Sequence, residues 1–269
     1  MLSVASLFNA YSLRARLLPA LLLVLPPVIV CALLFPVVYT TLTHAFGSLG
    51  IVAVAMFLLA HVIREQGRGL QQRLYIEWGG TPTTIWLRHR DNNIDAITKA
   101  RYHRFLENRI PGFVLPSLES EARDPAAADQ AYDSAAKWLL EFTRNTKSFP
   151  LMFTENVYYG FRRNTCAAKP IALALVVALA LVTASVSYSR HETSSDAMAP
   201  DIIATWIVLL VGALLWTFYV TKAWVRDGAF AYARALLAAC EDTATASKPK
   251  PSSARRRSRP DPQSTAASK

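Results

Sequence analysis

The chain has 269 residues and a formal net charge of +10 at pH 7, much of it between Ser247 and Lys269. This basic segment has no aromatic residue on which bases could stack, which disfavours a nucleic-acid enzyme. Three cysteines, at 31, 166 and 240, are odd in number and widely spaced, so no disulfide framework is expected. There is no CxxC or HExxH sequence, and the histidines lack metal-ligand spacing. The sequence therefore predicts neither a metal site nor a cofactor.

Four apolar stretches, arranged in two pairs around a long polar middle, dominate the chain. They are Leu17–Val38 and Phe46–Val62, then Pro170–Tyr188 and Ile202–Val220. Each has about the 17–25 residues that an α-helix needs to cross a bilayer. None contains Lys, Arg, Asp or Glu, and such charges cost roughly 2.5–3.5 kcal/mol at a bilayer centre. We therefore predict a polytopic membrane protein with four transmembrane helices in two hairpins.

Basic residues lie on one side of these stretches. Arginines precede the first and third stretches and follow the second and fourth, whereas the connections 39–45 and 189–201 together hold a single arginine. The positive-inside rule then places both termini and the middle segment in the cytoplasm. The expected organisation is an N-terminus (1–16), a first hairpin (17–62), a cytosolic helical domain (63–169), a second hairpin (170–220), a cytosolic helical extension (221–242) and a disordered basic tail (243–269).

Prolines interrupt the first apolar stretch at Pro26, Pro27 and Pro36. They indicate either kinks, whose freed carbonyls neighbouring helices or water satisfy, or an interrupted helix that lines a cavity, as in transporters. A cleaved signal peptide is not expected, because the apolar run exceeds the roughly 7–15 residues of such a segment and no small-residue cleavage pattern ends it.

The middle segment carries start and stop signals of helices. Arg64–Trp78 is predicted to continue the second span, and Gly79-Gly80 to end it. Thr81-Pro82 and Asp124-Pro125 each place an N-cap residue before a proline at the first helical position. Another helix is predicted to start at Asp91–Asn93. The helix after Asp124-Pro125 is expected to turn these residues inward: Ala128, Tyr132, Ala135, Ala136, Leu139 and Leu140.

Apolar residues also recur after the fourth span, at Trp224, Phe230, Leu236 and Leu237. This spacing predicts that the fourth span runs on as a helix to about Glu241 and packs against the rest of the cytosolic part. The tail beyond is too polar to fold alone. Since no stretch alternates as a strand does, the predicted fold class is all-α.

Five ionisable residues recur at intervals of three or four: Arg88, Asp91, Asp95, Lys99 and His103. On one helix they would share a face. If that face is exposed, Asp95 and Lys99 form only an i,i+4 pair worth roughly 0.2–0.5 kcal/mol. If it is recessed, the group is a candidate site for an anionic ligand or for proton transfer.

A second candidate site precedes the third span, at Asn156, Tyr159, Arg162 and Arg163. The arginines are either interfacial anchors or ligands for a phosphate, which a guanidinium binds with two parallel hydrogen bonds. The phosphate would belong to a cytosolic nucleotide or to a phospholipid headgroup. No Walker-type loop or GxGxxG sequence is present to cradle a nucleotide in the usual way.

Several strings resemble uncharacterised bacterial inner-membrane proteins over roughly residues 70–170. They are GTPTT (80–84), LRHRD (87–91), FTEN (153–156) and YGFRRN (159–164). The layout of a few spans with a small cytosolic part is similar to that of multi-span effectors of antiphage defence. This resemblance implies a protein of the bacterial inner membrane that receives an intracellular signal and perturbs the membrane without catalysis. It transfers no ligand-binding residue, since that class shares no single site motif.

The sequence thus favours a non-enzymatic effector or sensor, whose helical domain binds a cytosolic protein or a nucleotide-like signal and alters membrane integrity. The alternatives are a small channel or transporter-like protein, and a membrane-anchored scaffold or enzyme. Expected partners are the bilayer, anionic lipid at the basic tail and further copies of the chain, while nucleic acid is disfavoured. Small residues that suit close helix packing are Gly50, Ala53, Ala55, Ala172, Ala174, Ala178 and Ala180.

The predicted topology is tested by labelling single introduced cysteines in intact cells. A membrane-impermeant thiol reagent should modify a cysteine at Ser194 and leave one at Ser120 unmodified, because only the former connection is external. Modification at Ser120 without permeabilisation would contradict the predicted orientation.

Overall fold

The computed structural model describes residues 13–45, 49–193 and 199–241. Within these ranges every regular element is a helix and none is a strand, which confirms the all-α class. The predictions for the first 12 residues and for the tail from residue 243 concern residues outside these ranges.

The apolar part of the chain forms five helices. They are α1 (Leu18–Leu34, preceded by a π-helical turn at Leu13–Leu17), α2 (Pro36–Ala45), α3 (Leu49–Trp78), α8 (Pro150–Thr193) and α9 (Pro200–Leu214, followed by a π-helical turn at Leu215–Tyr219). The intervening and final segments form shorter helices, which are α4 (Pro82–Leu87), α5 (Ala96–Arg109), α6 (Leu118–Arg123), α7 (Pro125–Phe142) and α10 (Lys222–Ala238, ending in a 3₁₀ turn at Ala239–Glu241).

Three helical segments in the described ranges are long and apolar enough to cross a membrane: Leu13–Leu34, Pro150–Glu192 and Pro200–Tyr219. The second predicted span forms the start of α3, and the arrangement of four spans in two hairpins remains a prediction. Between Leu49 and the first charge at Arg64, α3 has fewer than the roughly 20 apolar residues of a full span. The preceding residues 46–48 lie outside the described ranges.

The first apolar stretch ends earlier than predicted, at Leu34 instead of Val38. Phe35 leaves the helical conformation, with φ −132° and ψ 59°, because the ring of the following Pro36 disfavours helical geometry in the residue before it. Helix α1 nevertheless runs unbroken through Pro26 and Pro27. The interruption that the prolines suggested is therefore at Phe35.

Helix α8 is the central element of the fold. Its 44 residues continue through Pro170 without a break, so that at 1.5 Å per residue it is about 66 Å long. It packs against α1, α3, α9 and α10. One helix therefore joins the apolar spans to the polar middle of the chain.

The local start and stop signals behave as predicted at three places. Gly79 ends α3 with φ +80°, Thr81 Oγ1 accepts the amide of Thr84 at 3.4 Å, and Asp124 Oδ1 accepts that of Ala127 at 3.0 Å. The predicted continuation of the fourth span is wrong, because the helix breaks at Val220 and α10 begins anew after the N-cap Thr221.

Helices α4, α5, α7 and α10 and the start of α8 enclose one apolar core, here called the helical bundle. Fully buried members of this core are Leu87, Leu106, Tyr132, Leu139 and Leu237. The last of these shows that the segment after the fourth span packs against the bundle, as expected. Leu140 was expected inside but is 42% exposed, since it lies 100° around the helix from Leu139.

These two neighbours give a matched test of the bundle. Leu139→Ala should destabilise the protein by about 2–5 kcal/mol, because it opens a cavity in the core, whereas Leu140→Ala removes a side chain already in contact with solvent. We expect only the first to lower the apparent Tm of the purified protein in detergent. Equal effects would mean that α7 packs in another rotation.

Candidate functional site

Two polar clusters are built where helices meet. The loop cluster surrounds the segment between α4 and α5, and comprises Arg88, Lys99, His103, Glu121 and Asp129. The helix junction lies where α3 and the residues before α1 contact α8, and comprises Ala15, Gly67, Gln71, Arg163 and Asn164.

Arg88 is the first anchor of the loop cluster and is nearly buried. Its Nε and Nη2 donate to the two carboxylate oxygens of Asp129 on α7, at 2.7 and 2.8 Å. Nη2 also donates to the carbonyl of Gly79 at 2.6 Å. This two-point geometry is the strongest that a guanidinium and a carboxylate adopt. It ties the end of α3 and the end of α4 to α7.

Glu121 on α6 is the second anchor, with 2% of its surface exposed. It accepts hydrogen bonds from the Tyr132 hydroxyl and the His89 amide, both at 2.7 Å, and from the Arg90 amide and guanidinium at 3.3 Å. Burial raises the pKa of Glu121, but these hydrogen bonds outweigh burial and leave its pKa below the ordinary value. Its stabilising effect is therefore present above the pKa of an unfolded glutamate and is lost as pH falls through the folded pKa.

Lys99 and His103 lie on α5 and hold the same loop by its carbonyls. Lys99 Nζ donates to the carbonyl of Arg88 at 2.7 Å and to that of Asp91, and His103 Nε2 lies 2.8 Å from the carbonyl of Leu87. Burial lowers the pKa of both side chains. His103 is therefore neutral at pH 7, with the hydrogen on the nitrogen that faces the carbonyl.

The prediction that the five ionisable residues share one helical face is wrong. Arg88, Lys99 and His103 nevertheless lie close together in the fold. Helix α5 begins at Ala96, so Arg88 and Asp91 lie in the preceding loop, and the helix start expected at Asp91–Asn93 is displaced. Asp95 is the N-cap, and its Oδ1 accepts the amide of Thr98 at 2.8 Å. Asp95 therefore caps a helix end, apart from the buried group.

A cavity of about 160 Å³ lies beside this group, lined by residues that include His89, Asp91, Lys99 and His103. It is smaller than the roughly 300–1,000 Å³ typical of small-molecule sites. Lys99 and His103 also direct hydrogen bonds at the loop backbone. The loop cluster is thus arranged mainly to hold the 87–91 loop in place.

The helix junction centres on the side chain of Asn164, which is 1% exposed. Its Nδ2 donates to the carbonyl of Ala15 at 2.7 Å, and its Oδ1 accepts Nε and Nη2 of Arg163 at 3.2 and 3.1 Å. A Cβ atom at Gly67 of α3 would overlap this Oδ1. Glycine at 67 is therefore what allows α3 to approach α8 here.

Arg163 extends the junction along α3 and α8. Its Nη1 donates to Gln71, and its guanidinium carbon lies 5.7 Å from the centre of the Tyr159 ring. The Tyr159 hydroxyl lies 3.4 Å from that of Tyr75. Burial raises the pKa of Tyr75, so its hydroxyl stays protonated. The predicted residues Tyr159 and Arg163 therefore come together in one network.

Arg162 lies outside this network and contacts α10 instead. Its Nη1 donates to the carbonyl of Trp224 at 3.1 Å, and its guanidinium carbon lies 5.4 Å from the Trp224 ring centre. A Cβ at Gly228 would come within 2.8 Å of Arg162 Cδ, so Gly228 makes room for the side chain. Asn156 is half-buried about two turns before Arg163 and joins none of the described hydrogen bonds of the junction.

Sequence reasoning did not find the partners that complete these clusters. Glu121 and Asp129 are acidic residues, and acidic side chains are usually expected to be exposed. Gly67 is a glycine inside a helix, and a single sequence does not display its packing role. Asn164 follows the predicted arginines directly. Its polar side chain beside an apolar span was the sequence feature that could have indicated a buried polar contact.

No group of three or more His, Cys, Asp or Glu residues in the described ranges is placed to hold a metal ion. Comparison of the chain with protein-family models, with curated proteins and with solved structures finds no match.

Gly67 and Gly69 of α3 provide a matched test of the helix junction. Gly67→Ala should destabilise the protein by about 1–3 kcal/mol, because the added methyl group overpacks against Asn164. Gly69→Ala should be neutral or stabilise by up to about 1 kcal/mol, since nothing lies within 4 Å of its added Cβ and alanine favours helix. The apparent Tm of each purified variant in detergent measures this difference.

A double-mutant cycle identifies the partner. In the background of Asn164→Ala the cost of Gly67→Ala should largely disappear, because the overlapping oxygen is gone. An unchanged cost in that background would show that another group limits the space at Gly67.

Proposed function

We propose that this chain is a non-enzymatic effector of the bacterial inner membrane, in which the helical bundle receives a cytosolic signal and the spans alter membrane integrity, in the context of antiphage defence. Both termini and the bundle are cytoplasmic in this proposal. The observation that carries it is the continuity of α8 from the bundle core to the far end of a membrane span.

Helix α8 supports the proposal because it can transmit a displacement without an intervening loop. Its first turns contribute Met152 to the core of the helical bundle, while its later residues Ala168 and Ala172 pack among α1 and α3. A displacement of the bundle then moves the span as one body, of the kind that shifts between packed helices produce. A loop at the membrane surface would instead absorb such a displacement.

The helix junction supports the same interpretation. Asn164 and Arg163 join α8 to α3 and to the residues before α1 by side-chain hydrogen bonds. Breaking a buried polar network is costly in a low dielectric, so these helices are expected to move together. We expect Arg163 to be important for signal transmission for this reason, whereas we no longer assign a ligand-binding role to Asp95.

Membrane damage by so few spans needs several copies of the chain. Some of the small residues in the apolar helices are exposed and could contact another copy. Ala172 is buried within the chain, but Ala174 and Ala178 are exposed on one face of α8, and Ala53 and Ala55 are exposed on α3. Ala174 and Ala178 are four positions apart, a spacing of small residues that allows close approach of helices in lipid. We therefore propose homo-oligomerisation through this face of α8.

A channel or transporter-like protein is the second candidate. It was motivated by the prolines of the first span, and α1 continues through Pro26 and Pro27 as an intact helix. A transporter site at broken helices would have to use the later break at Phe35. This makes the effector interpretation the stronger of the two.

The effector proposal is tested in bacteria that express the chain and are challenged with a panel of phages. We expect uptake of a membrane-impermeant DNA dye and loss of membrane potential during infection, with plaque numbers reduced at least tenfold. Arg163→Gln should abolish both effects while the protein still accumulates in the membrane, because the link between α8 and α3 is lost.

Arg144→Gln is the matched control, since the Arg144 side chain is 82% exposed and pairs with Glu141 one turn earlier on the same surface. This variant should behave as the wild type. Intact membranes under every challenge would contradict the effector proposal. A protein that stays monomeric by mass measurement in nanodiscs, before and after infection, would contradict membrane damage by homo-oligomers and favour a scaffold or enzyme.

A further inference from the structure

An apolar groove of about 510 Å³ opens between α1, α8 and α9, next to the start of α10. Its walls include Leu25, Ile29 and Val208 along the spans, and Phe161 and Trp224 close the end towards the helical bundle. This volume lies within the roughly 300–1,000 Å³ range of small-molecule sites. Water alone does not account for a cavity with such apolar walls.

A smaller and more polar space of about 290 Å³ adjoins that end, and shares Phe161, Tyr219 and Trp224 with the groove. It is lined by two arginines, Arg14 and Arg162. Neither forms an ion pair with any residue in the described ranges. A space lined by two positively charged side chains therefore adjoins one end of the apolar groove.

Thr165 lies on the wall of the groove, one turn after the shared Phe161 on α8. It is 2% exposed, and its Oγ1 has no hydrogen-bond partner among the described residues. A buried hydroxyl without a partner costs about 1–3 kcal/mol. An acceptor from outside the chain would satisfy it. Because Thr165 lies one turn after Arg162 on α8, the arginine and the hydroxyl face the same side of the helix.

We propose that this groove binds one anionic glycerophospholipid from the leaflet that faces the helical bundle. An acyl chain occupies the apolar groove, an ester carbonyl accepts from Thr165, and the phosphate lies between Arg14 and Arg162. The order of anionic, polar and apolar parts in such a lipid matches the order of cationic, hydroxyl and apolar walls. Basic pockets between transmembrane helices commonly bind lipid headgroups in this way. The proposal does not depend on the effector function.

The test uses the full-length protein, stripped of lipid in detergent and titrated with phosphatidylglycerol or with phosphatidylcholine of the same acyl chains. Native mass spectrometry counts bound lipid and gives each Kd. Phosphatidylglycerol should bind the wild type more tightly. Each arginine removed should weaken it about fivefold, so Arg14→Gln with Arg162→Gln should bring its Kd close to that of phosphatidylcholine.

Two controls separate charge from chain. Arg68→Gln with Arg73→Gln removes the same net charge from α3, outside the groove, and should preserve the preference for phosphatidylglycerol. Val208→Trp fills the groove and should weaken both lipids, whereas Leu210→Trp, at a 60% exposed position of the same helix, should weaken neither.

Glycerol 3-phosphate distinguishes a lipid site from a site for soluble phosphate, and should not displace phosphatidylglycerol at equal concentration. Displacement by it would overturn the proposal, as would equal Kd values for the two lipids in the wild type or a wild-type Kd in the double arginine variant. The last two results would mean that bulk lipid chains fill the groove. If Val208→Trp does not fold, the arginine pair still decides.

Discussion

One buried amide, that of Asn164, constrains how the spans meet the polar part of the chain. Its hydrogen bond to the Ala15 carbonyl positions the start of α1 on α8, and its contact with Gly67 sets how closely α3 approaches. Leaving that carbonyl unpaired in the interior would cost about 1–3 kcal/mol. Glycine inside a helix costs about 1 kcal/mol relative to alanine. The chain tolerates this smaller cost at Gly67 because it permits the larger gain at Asn164.

Features of the fold that depend on neighbouring residues could be predicted from the sequence, and those that depend on distant ones could not. The caps at Thr81 and Asp124 follow from side chains bonding to amides within the same turn. The break at Val220 was missed because apolar periodicity continues past it into α10, whose apolar residues pack in the bundle core. The second predicted span, Phe46–Val62, also includes residues 46–48, which lie outside the described ranges.

The candidate sites show the same division. Arg88, Lys99 and His103 were predicted to share a helical face, whereas a loop and a separate helix bring them together. Asp129 pairs with Arg88, and Glu121 accepts from the His89 amide and from Arg90. Both carboxylates lie far from these partners in the sequence, and nothing in a single sequence pairs them. The surroundings of a buried ionisable residue also decide which role it has. An ionisable group that faces backbone carbonyls holds a loop, while the same group facing an empty cleft would suggest chemistry.

The apolar groove and the helical bundle are connected in two ways, by a continuous helix and by a pair of helices with a break between them. Helix α8 passes from one to the other without a break, but α9 and α10 are separated by the non-helical Val220 and Thr221. Trp224 belongs to α10 and closes the groove, while Val208 belongs to α9 and forms its wall. A bundle that pivots at this break would change the width of the groove. By linkage, a lipid that favours one width favours the corresponding bundle position by the same factor. The proposed lipid and the proposed cytosolic signal would then act on one equilibrium.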